Sequence, residues 1–280
     1  MPPPLVVSFT KMQGAGNDFL VIDNRFYRFS DAELEDLARR WCPRRVGVGA
    51  DGLLALNPPD PAADAPHDYR MRYLNADGSW ATMCGNGARC LARFAVDAGM
   101  DGPNVRFATD AGMYRAEQIT GTDRVRLWTP PPAKTTLDAP LDAPLPAPLD
   151  AVHTVWTGTE HLVALVDDPD AVDLLRVAPP LRNDPALAPA GANVNLVAPA
   201  GDNGLQVRTY EKGVEDETLS CGTGVLASAV IAWKTRAVES DPVTVHTKGG
   251  TLRVGHDATG ALYLEGPVAF VYRGTIDVAV

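Results

Sequence analysis

The feature that most constrains this chain is an order of residues that occurs twice. Tyr69 to Leu74 alternates as a strand would, ends in the polar turn Asn75-Ala76-Asp77-Gly78, and leads to Cys84-Gly85-Asn86-Gly87. Ala88, Leu91, Phe94, Ala95 and Ala98 then recur at helical spacing, with Gly99 as a stop. Gly204 to Tyr210 repeats the alternation, a polar turn follows, and Ser220-Cys221-Gly222-Thr223-Gly224 opens the apolar run Val225 to Trp233. Behind each helix stands a strand, a turn and a strand carrying Thr-x-x-Gly-x-x-Arg. It falls at Thr109, Gly112 and Arg115, and again, one residue further from its cysteine, at Thr247, Gly250 and Arg253. One short match arises easily by chance; a shared element order on both sides of it indicates a duplicated α+β unit.

Each copy sets a cysteine and two glycines directly ahead of a helix. The glycines leave backbone N–H groups open, and the helix end carries partial positive charge, so a thiolate or a carboxylate is favoured there. A helix end is worth about 0.3–2 kcal/mol and one pKa unit about 1.4, so the dipole alone lowers a thiol from about 8.5 by little more than a unit. Two such thiols facing one carbon suit a particular chemistry: one, as thiolate, removes a proton from one face, and the other returns a proton to the opposite face. The centre inverts. The N–H groups of Gly85, Asn86 and Gly87 and of Gly222, Thr223 and Gly224 would hold an amino-acid α-carboxylate, where charge develops on deprotonation.

Composition removes several function classes. The 280 residues are 45% hydrophobic and 21% charged, as in an ordinary globular chain with room for two modest domains. A formal net charge of -10 with five scattered lysines argues against nucleic acid or an anionic membrane as partner, which leaves a small molecule. The N-terminal residues Met1 to Val7 lack a signal-peptide pattern, and no stretch reaches membrane-spanning length, so a cytoplasmic protein is expected. Cys42, Cys84, Cys90 and Cys221 follow neither a disulfide framework nor a CxxC metal pattern; no metal is expected. Cys42 and Cys90 read as small buried hydrophobes.

Elsewhere the pattern is mostly scaffold. A strand around Leu5 to Phe9 precedes a glycine-containing loop, Lys11 to Phe19, expected to expose polar groups. Ser30 and Glu33 form a capping box for a helix over 31–41 that buries Leu34, Leu37, Ala38 and Trp41. Gly47 to Gly52 is no dinucleotide loop, because a strand follows it instead of a helix. The proline-rich stretch 58–66 reads as a surface loop. Pro130-Pro131-Pro132 and the Leu-Asp-Ala-Pro units to 150 read as a stiff spacer without chemistry, and 178–192 as another long loop. His67, His153, His246 and His256 read as surface or core residues, and His161 taken singly as a structural histidine. Asn17, Asn75 and Asn193 could each merely satisfy a turn. Glu217 is placed to cap the second helix end.

Taken together, these residues resemble the diaminopimelate epimerase family. The likeness runs through Lys11 to Phe19, Tyr73 to Ser79, Met83 to Cys90, Gly191 to Val194, Arg208 to Glu211, Glu217 to Gly224 and Glu265-Gly266-Pro267. Asn86 separates the chain from proline racemase relatives, which carry histidine there. The resemblance implies an α+β fold of two similar domains from a duplicated unit. Each would be a mixed or antiparallel sheet wrapped around a central helix, related by a pseudo-twofold, with the active site in the cleft. The domains would be 1–128 plus about 266–280, bearing Cys84, and 129–265, bearing Cys221 and opening with the connector 130–150.

The resemblance further implies a cofactor-independent isomerase that interconverts LL- and meso-diaminopimelate in lysine and cell-wall precursor biosynthesis, and a homodimer. Cys84 and Cys221 would be the acid/base pair, oriented and tuned by His161 and Glu211. Asn17, Asn75, Gly85, Asn86, Asn193, Glu211, Lys212, Gly222 and Thr223 would surround the substrate. Three positions depart from the family pattern: Lys212 replaces an Arg, Thr159-Glu160 replaces Asn-Pro, and Trp80 stands where Glu is frequent. These bear on the far end of the substrate, because a bidentate grip becomes a point charge. Two rival readings are a racemase of another amino acid, such as histidine, and a non-catalytic amino-acid-binding protein. A thiol-disulfide oxidoreductase lacks its CxxC, and no lysine sits in a pyridoxal phosphate pattern.

Overall fold

The computed structural model describes residues 5–61, 65–201 and 203–278, so the expected loop over 58–66 lies partly, at 62–64, outside the described residues. The chain divides into two compact units, Met1–Leu127 with Gly266–Val280, and Trp128–Glu265. Among the described residues no helix is long and apolar enough to cross a membrane.

In the first unit β1 (Leu5–Gly14), β2 (Asn17–Ile22), β3 (Gly52–Asn57), β4 (Tyr69–Asn75), β5 (Trp80–Ala81), β6 (Asn104–Thr109), β7 (Gly112–Gln118) and β8 (Arg124–Trp128) accompany α1 (Asn24–Tyr27), α2 (Asp31–Trp41) and α3 (Gly85–Asp97). The second holds β9 (Ala133–Thr136), β10 (His153–Trp156), β11 (Glu160–Leu165), β12 (Asn193–Ala200), β13 (Gly204–Glu211), β14 (Asp216–Thr218), β15 (Val243–Thr247), β16 (Gly250–His256) and β17 (Leu262–Pro267), with α4 (Leu174–Arg182) and α5 (Gly222–Lys234). The last strand, β18 (Ala269–Val278), pairs antiparallel with β1.

Strand pairing makes the duplication explicit. In the first unit β1–β2 is antiparallel, β2–β3 parallel, β3–β4 antiparallel, β4–β6 parallel and β6–β7 antiparallel. In the second, β10–β11, β11–β12, β12–β13, β13–β15 and β15–β16 follow the same sequence of directions. A short strand precedes the cysteine-headed helix in each, β5 before α3 and β14 before α5. The fold is therefore a mixed-sheet α+β unit built twice.

Period-two alternation in the first sheet supplies two cores. Phe19, Val21, Leu54 and Leu56 face α3, packing on Ala88, Leu91, Ala92 and Ala95. Leu20, Ile22, Leu53 and Ala55 face the other way, onto Leu34, Leu37, Ala38 and Trp41 of α2. Each such side chain contributes about 1.5–3 kcal/mol by leaving water. The expected capping box is present: Ser30 Oγ accepts the Glu33 N–H, and Glu33 Oε2 accepts the Ser30 N–H at 2.7 Å.

Three expectations are corrected. The tight loop expected over 11–19 is narrower than that span, a hairpin turn of Ala15 and Gly16 alone, both in the left-handed region (φ 53° and 84°), as a two-residue turn between twisted strands requires, with the remaining residues in β1 and β2. Lys11 is buried there and pairs with Asp18 at 2.6 Å. The long loop expected over 178–192 begins inside α4, which runs through Pro179 and Pro180. An internal proline costs about 3 kcal/mol against alanine, yet Leu174, Val177, Ala178 and Leu181 are all buried, and that packing outweighs propensity. The spacer over 130–150 is also docked: β9 pairs with β10, and Leu141, Leu145 and Leu149 pack on the core under α4. The carboxylate of Asp184 holds it by accepting the N–H groups of Asp142 and Ala143 at 3.1 and 3.0 Å.

Candidate active site

Cys84 is the N-cap of α3, in extended backbone, where the chain leaves β5. Its Sγ accepts the Gly87 N–H at 3.5 Å and faces Asn17 Oδ1 at 3.6 Å. Asn17 opens β2, and its Nδ2 donates to Asp51 Oδ2. Because a carboxylate takes the amide N–H, the amide oxygen must turn to the sulfur, where it can accept only from a thiol S–H. The same sulfur thus has a partner as thiol, Asn17, and as thiolate, the helix end and Gly87. Arg44 holds the carboxylates of Asp51 and Asp18. Burial pushes the Asp18 carboxyl up, but hydrogen bonds from Arg44 and Lys11 outweigh it and keep that group well below the usual carboxylate range. Asn86, buried in the first turn of α3, accepts from Arg89 Nη2 through Oδ1 at 2.8 Å, and the Gly85 carbonyl accepts from Arg89 Nη1 at 3.3 Å. Asn75 closes its turn, donating from Nδ2 to Ser79 Oγ at 3.0 Å.

Cys221 is the corresponding N-cap of α5, buried, with Thr223 Oγ1 at 3.4 Å from its Sγ. No side-chain hydrogen bond caps this helix end. The Thr223 carbonyl accepts from Thr157 Oγ1 at 2.9 Å. Gly224 lies so close to Asn195 Oδ1 that a Cβ would collide with it. That Asn195 oxygen also accepts from Thr209 Oγ1 at 2.9 Å, which turns Asn195 Nδ2 to His161 Nδ1 at 3.1 Å. On the other side of the ring Asn193 Nδ2 stands 3.4 Å from Nε2, so both ring nitrogens face asparagine amides. Burial, reinforced by the Lys212 charge, draws His161 down to about 3, so it is neutral at ordinary pH. Asn193, beside His161 in the parallel β11–β12 register, accepts the Lys212 N–H at 2.9 Å. Lys212 Nζ meets Glu160 Oε2 at 2.5 Å. Burial pushes the Glu211 carboxyl above its ordinary value.

The diaminopimelate epimerase family model matches residues 9–129 and 153–271. Proteins named diaminopimelate epimerase from Chlorobaculum tepidum and Methanocella arvoryzae are each 42% identical, over 95% of this chain and 99% of the first, and 97% of this chain and 97% of the second. The one from Aquifex aeolicus is 37% identical over 96% of this chain and 98% of its own length. The chain belongs to the diaminopimelate epimerase family. Among solved structures, a phenazine biosynthesis PhzF-family protein from Bacillus anthracis shares the fold with TM-score 0.69 at 15% identity, covering 98% of this chain and 100% of that one. A hydroxyproline epimerase from Agrobacterium vitis does so at 0.65 and 17%, covering 97% and 92%.

Within this diaminopimelate epimerase family member, the first unit brings together Cys84, Gly85, Asn86 and Asn17, while Asn75 is engaged in its own turn. The second unit joins His161, Asn193 and Lys212 in one hydrogen-bonded group that continues through Asn195 to the mouth of α5. Glu160 and Lys212, which the resemblance marked as unusual, are partners of each other. Trp80, the third, donates to Glu35 of α2 at 2.8 Å and lies under Arg72, so it serves the scaffold. Glu217 does not cap α5: both its oxygens are taken by Arg208 at 2.8 Å, because a planar fork outcompetes a single N–H. Sequence reasoning missed Asn195, Thr209, Asp51 and Arg89. Arg89 and Thr209 lie inside stretches that carry the resemblance, and Asn195 stands two residues after Asn193 and so shares its strand face.

Proposed function

We propose that this chain interconverts LL- and meso-diaminopimelate, in lysine and cell-wall precursor biosynthesis, by two-base proton transfer at the α-carbon with Cys84 and Cys221 as the bases, without a bound cofactor. One observation supports it above the others: Cys84 Sγ has an acceptor suited to its thiol and a donor suited to its thiolate, and Cys221 occupies the same N-cap of the duplicated unit. In one direction a cysteine thiolate takes the α-proton and the other, as thiol, protonates the opposite face; the roles exchange in reverse. Charge developing on the α-carboxylate is met by the N–H groups of Gly85 and Asn86 and of Gly222 and Thr223. Such donors are worth about 2.7–4 kcal/mol each, more than the helix ends themselves. Neutral His161, held between the amides of Asn193 and Asn195, orients its neighbours, and Glu211 tunes the second thiol. Asn17, Asn75, Asn193 and Lys212 contact the rest of the substrate. The protein works in the cytoplasm as a homodimer.

A second reading has one observation in its favour. The Lys212 ammonium is already engaged by Glu160, so a distal carboxylate would have to compete for it, and an amino acid without one, such as histidine, would not. Incubation in heavy water with each candidate, followed by NMR of the α-proton, separates the readings. Loss of the signal with inversion is expected for diaminopimelate. Exchange with histidine alone would transfer the substrate assignment, and no exchange with any candidate would leave a binding protein.

A further inference from the structure

Arg89 has the largest side chain among the fully buried ones of the described residues. A guanidinium carries five N–H donors and stays charged, and burying such a charge without a counter-ion costs several kcal/mol. Its two hydrogen-bond acceptors, Gly85 O and Asn86 Oδ1, are both neutral, and its Nε has no partner among the described residues. Burial draws its pKa down only to about 10, so the cation persists at neutral pH.

Its fork closes on the two residues that follow the N-cap Cys84, and Cys90 is the next residue along the helix, while the guanidinium of Arg124 on β8 opposes its charge. Cys90, fully buried on α3, is pushed far up by burial and stays protonated. The phenols in the surrounding core, Tyr69 and Tyr73 on β4 and Tyr114 on β7, are neutral acids, and burial raises Tyr69 and Tyr114 further. Asn17 on β2, which faces the Cys84 sulfur, is uncharged. The group left to supply a negative charge is Cys84.

We propose that Arg89 is a positioning residue for proton transfer, the buried counter-charge that holds Cys84 ready as thiolate while its fork fixes the first turn of α3. The proposal rests on the reading of Cys84 as an acid/base and explains how that thiol is tuned. Its geometry is specific to arginine. One planar fork reaches the first and second residues of the helix at once, which locks Asn86 and the N–H groups beside it.

The test needs no turnover, so it fails or succeeds independently of the epimerase reading. Iodoacetamide labelling of Cys84 in the substrate-free protein, read by peptide mass spectrometry across pH, gives the midpoint of its titration. In the natural protein that midpoint should lie more than about one unit below the ordinary 8.5, which is further than a helix end alone provides. Arg89→Gln should raise it by about one to three units, and Arg89→Lys should keep most of the lowering. Circular dichroism identifies a variant that has lost its fold; if Arg89→Gln has, the natural protein and Arg89→Lys decide. A natural midpoint at or above 8.5 overturns the proposal. So does an unchanged midpoint in Arg89→Gln, and if KM for diaminopimelate then rises the cation belongs to the substrate carboxylate instead.

Discussion

The two helix mouths are the same architectural position solved with different electrostatics. At Cys84 the thiol is half-buried, accepts a backbone N–H, and stands on a helix that hides an arginine cation. At Cys221 the thiol is more deeply buried, its helix end lacks a side-chain cap, and the neighbouring polar group is a neutral network of His161, Asn195 and Thr209. Duplication reproduces backbone geometry faithfully because strand pairing and helix packing specify it. It leaves the side chains near each sulfur free to diverge. On the proposed two-thiol mechanism, that divergence sets which sulfur rests as thiolate before substrate binds.

The comparison is broken most directly by removing each sulfur. Cys84→Ala and Cys221→Ala should each lower kcat for inversion by about 10²–10⁴-fold, measured by polarimetry or NMR. Turnover at the natural rate in either variant would end the equivalence of the two positions.

The neutral network sharpens it next. His161 has a folded pKa of about 3 against 6.5 unfolded, so below 6.5 the unfolded chain binds a proton that the folded one does not. Its contribution is therefore intact above pH 6.5 and is lost as pH falls towards 3, by on the order of a few kcal/mol. Urea midpoints against pH should show that decline in the natural protein and a flatter curve in His161→Gln. Asp18 in the first unit has its pKa depressed below 3.8, so its loss falls at lower pH and can be told apart.

The smallest contrast lies at the third helical residue of each mouth. A Cβ on Gly224 collides with Asn195 Oδ1, which Thr209 and His161 hold in place, so Gly224→Ala should destabilise by about 1–3 kcal/mol in denaturant titration. A Cβ on Gly87 meets the end of the flexible Leu54 side chain at 3.1 Å, and alanine gains helix propensity, so Gly87→Ala should stay within about 1 kcal/mol. Equal costs would mean that the second network is looser than its hydrogen bonds imply.

Much of this architecture is legible in the order of residues. The capped helix from Asp31, the alternation of Tyr69 to Leu74 and the apolar stripes behind both cysteines are local patterns, and local patterns act at the scale the sequence displays. The duplication, however, extends further upstream than its motif: α2 and α4 hold matching places between parallel strands, β2 and β3 in one unit and β11 and β12 in the other. Pro179 and Pro180 hide that second helix, because propensity counts only the chain's own cost and not the core that repays it. The leucines of the 137–150 stretch read as a spacer for the same reason.

Residue order alone specifies the family, the two cysteines, and the helix each one caps, since a cap depends on residues a few positions apart. Three-dimensional packing is needed to decide which way the Asn17 and Asn195 amides turn, that His161 is buried and neutral, and that Arg89 is buried without a carboxylate. Each of those depends on groups brought together from distant parts of the chain, where burial and hydrogen bonding set the cost of a charge and sequence spacing does not.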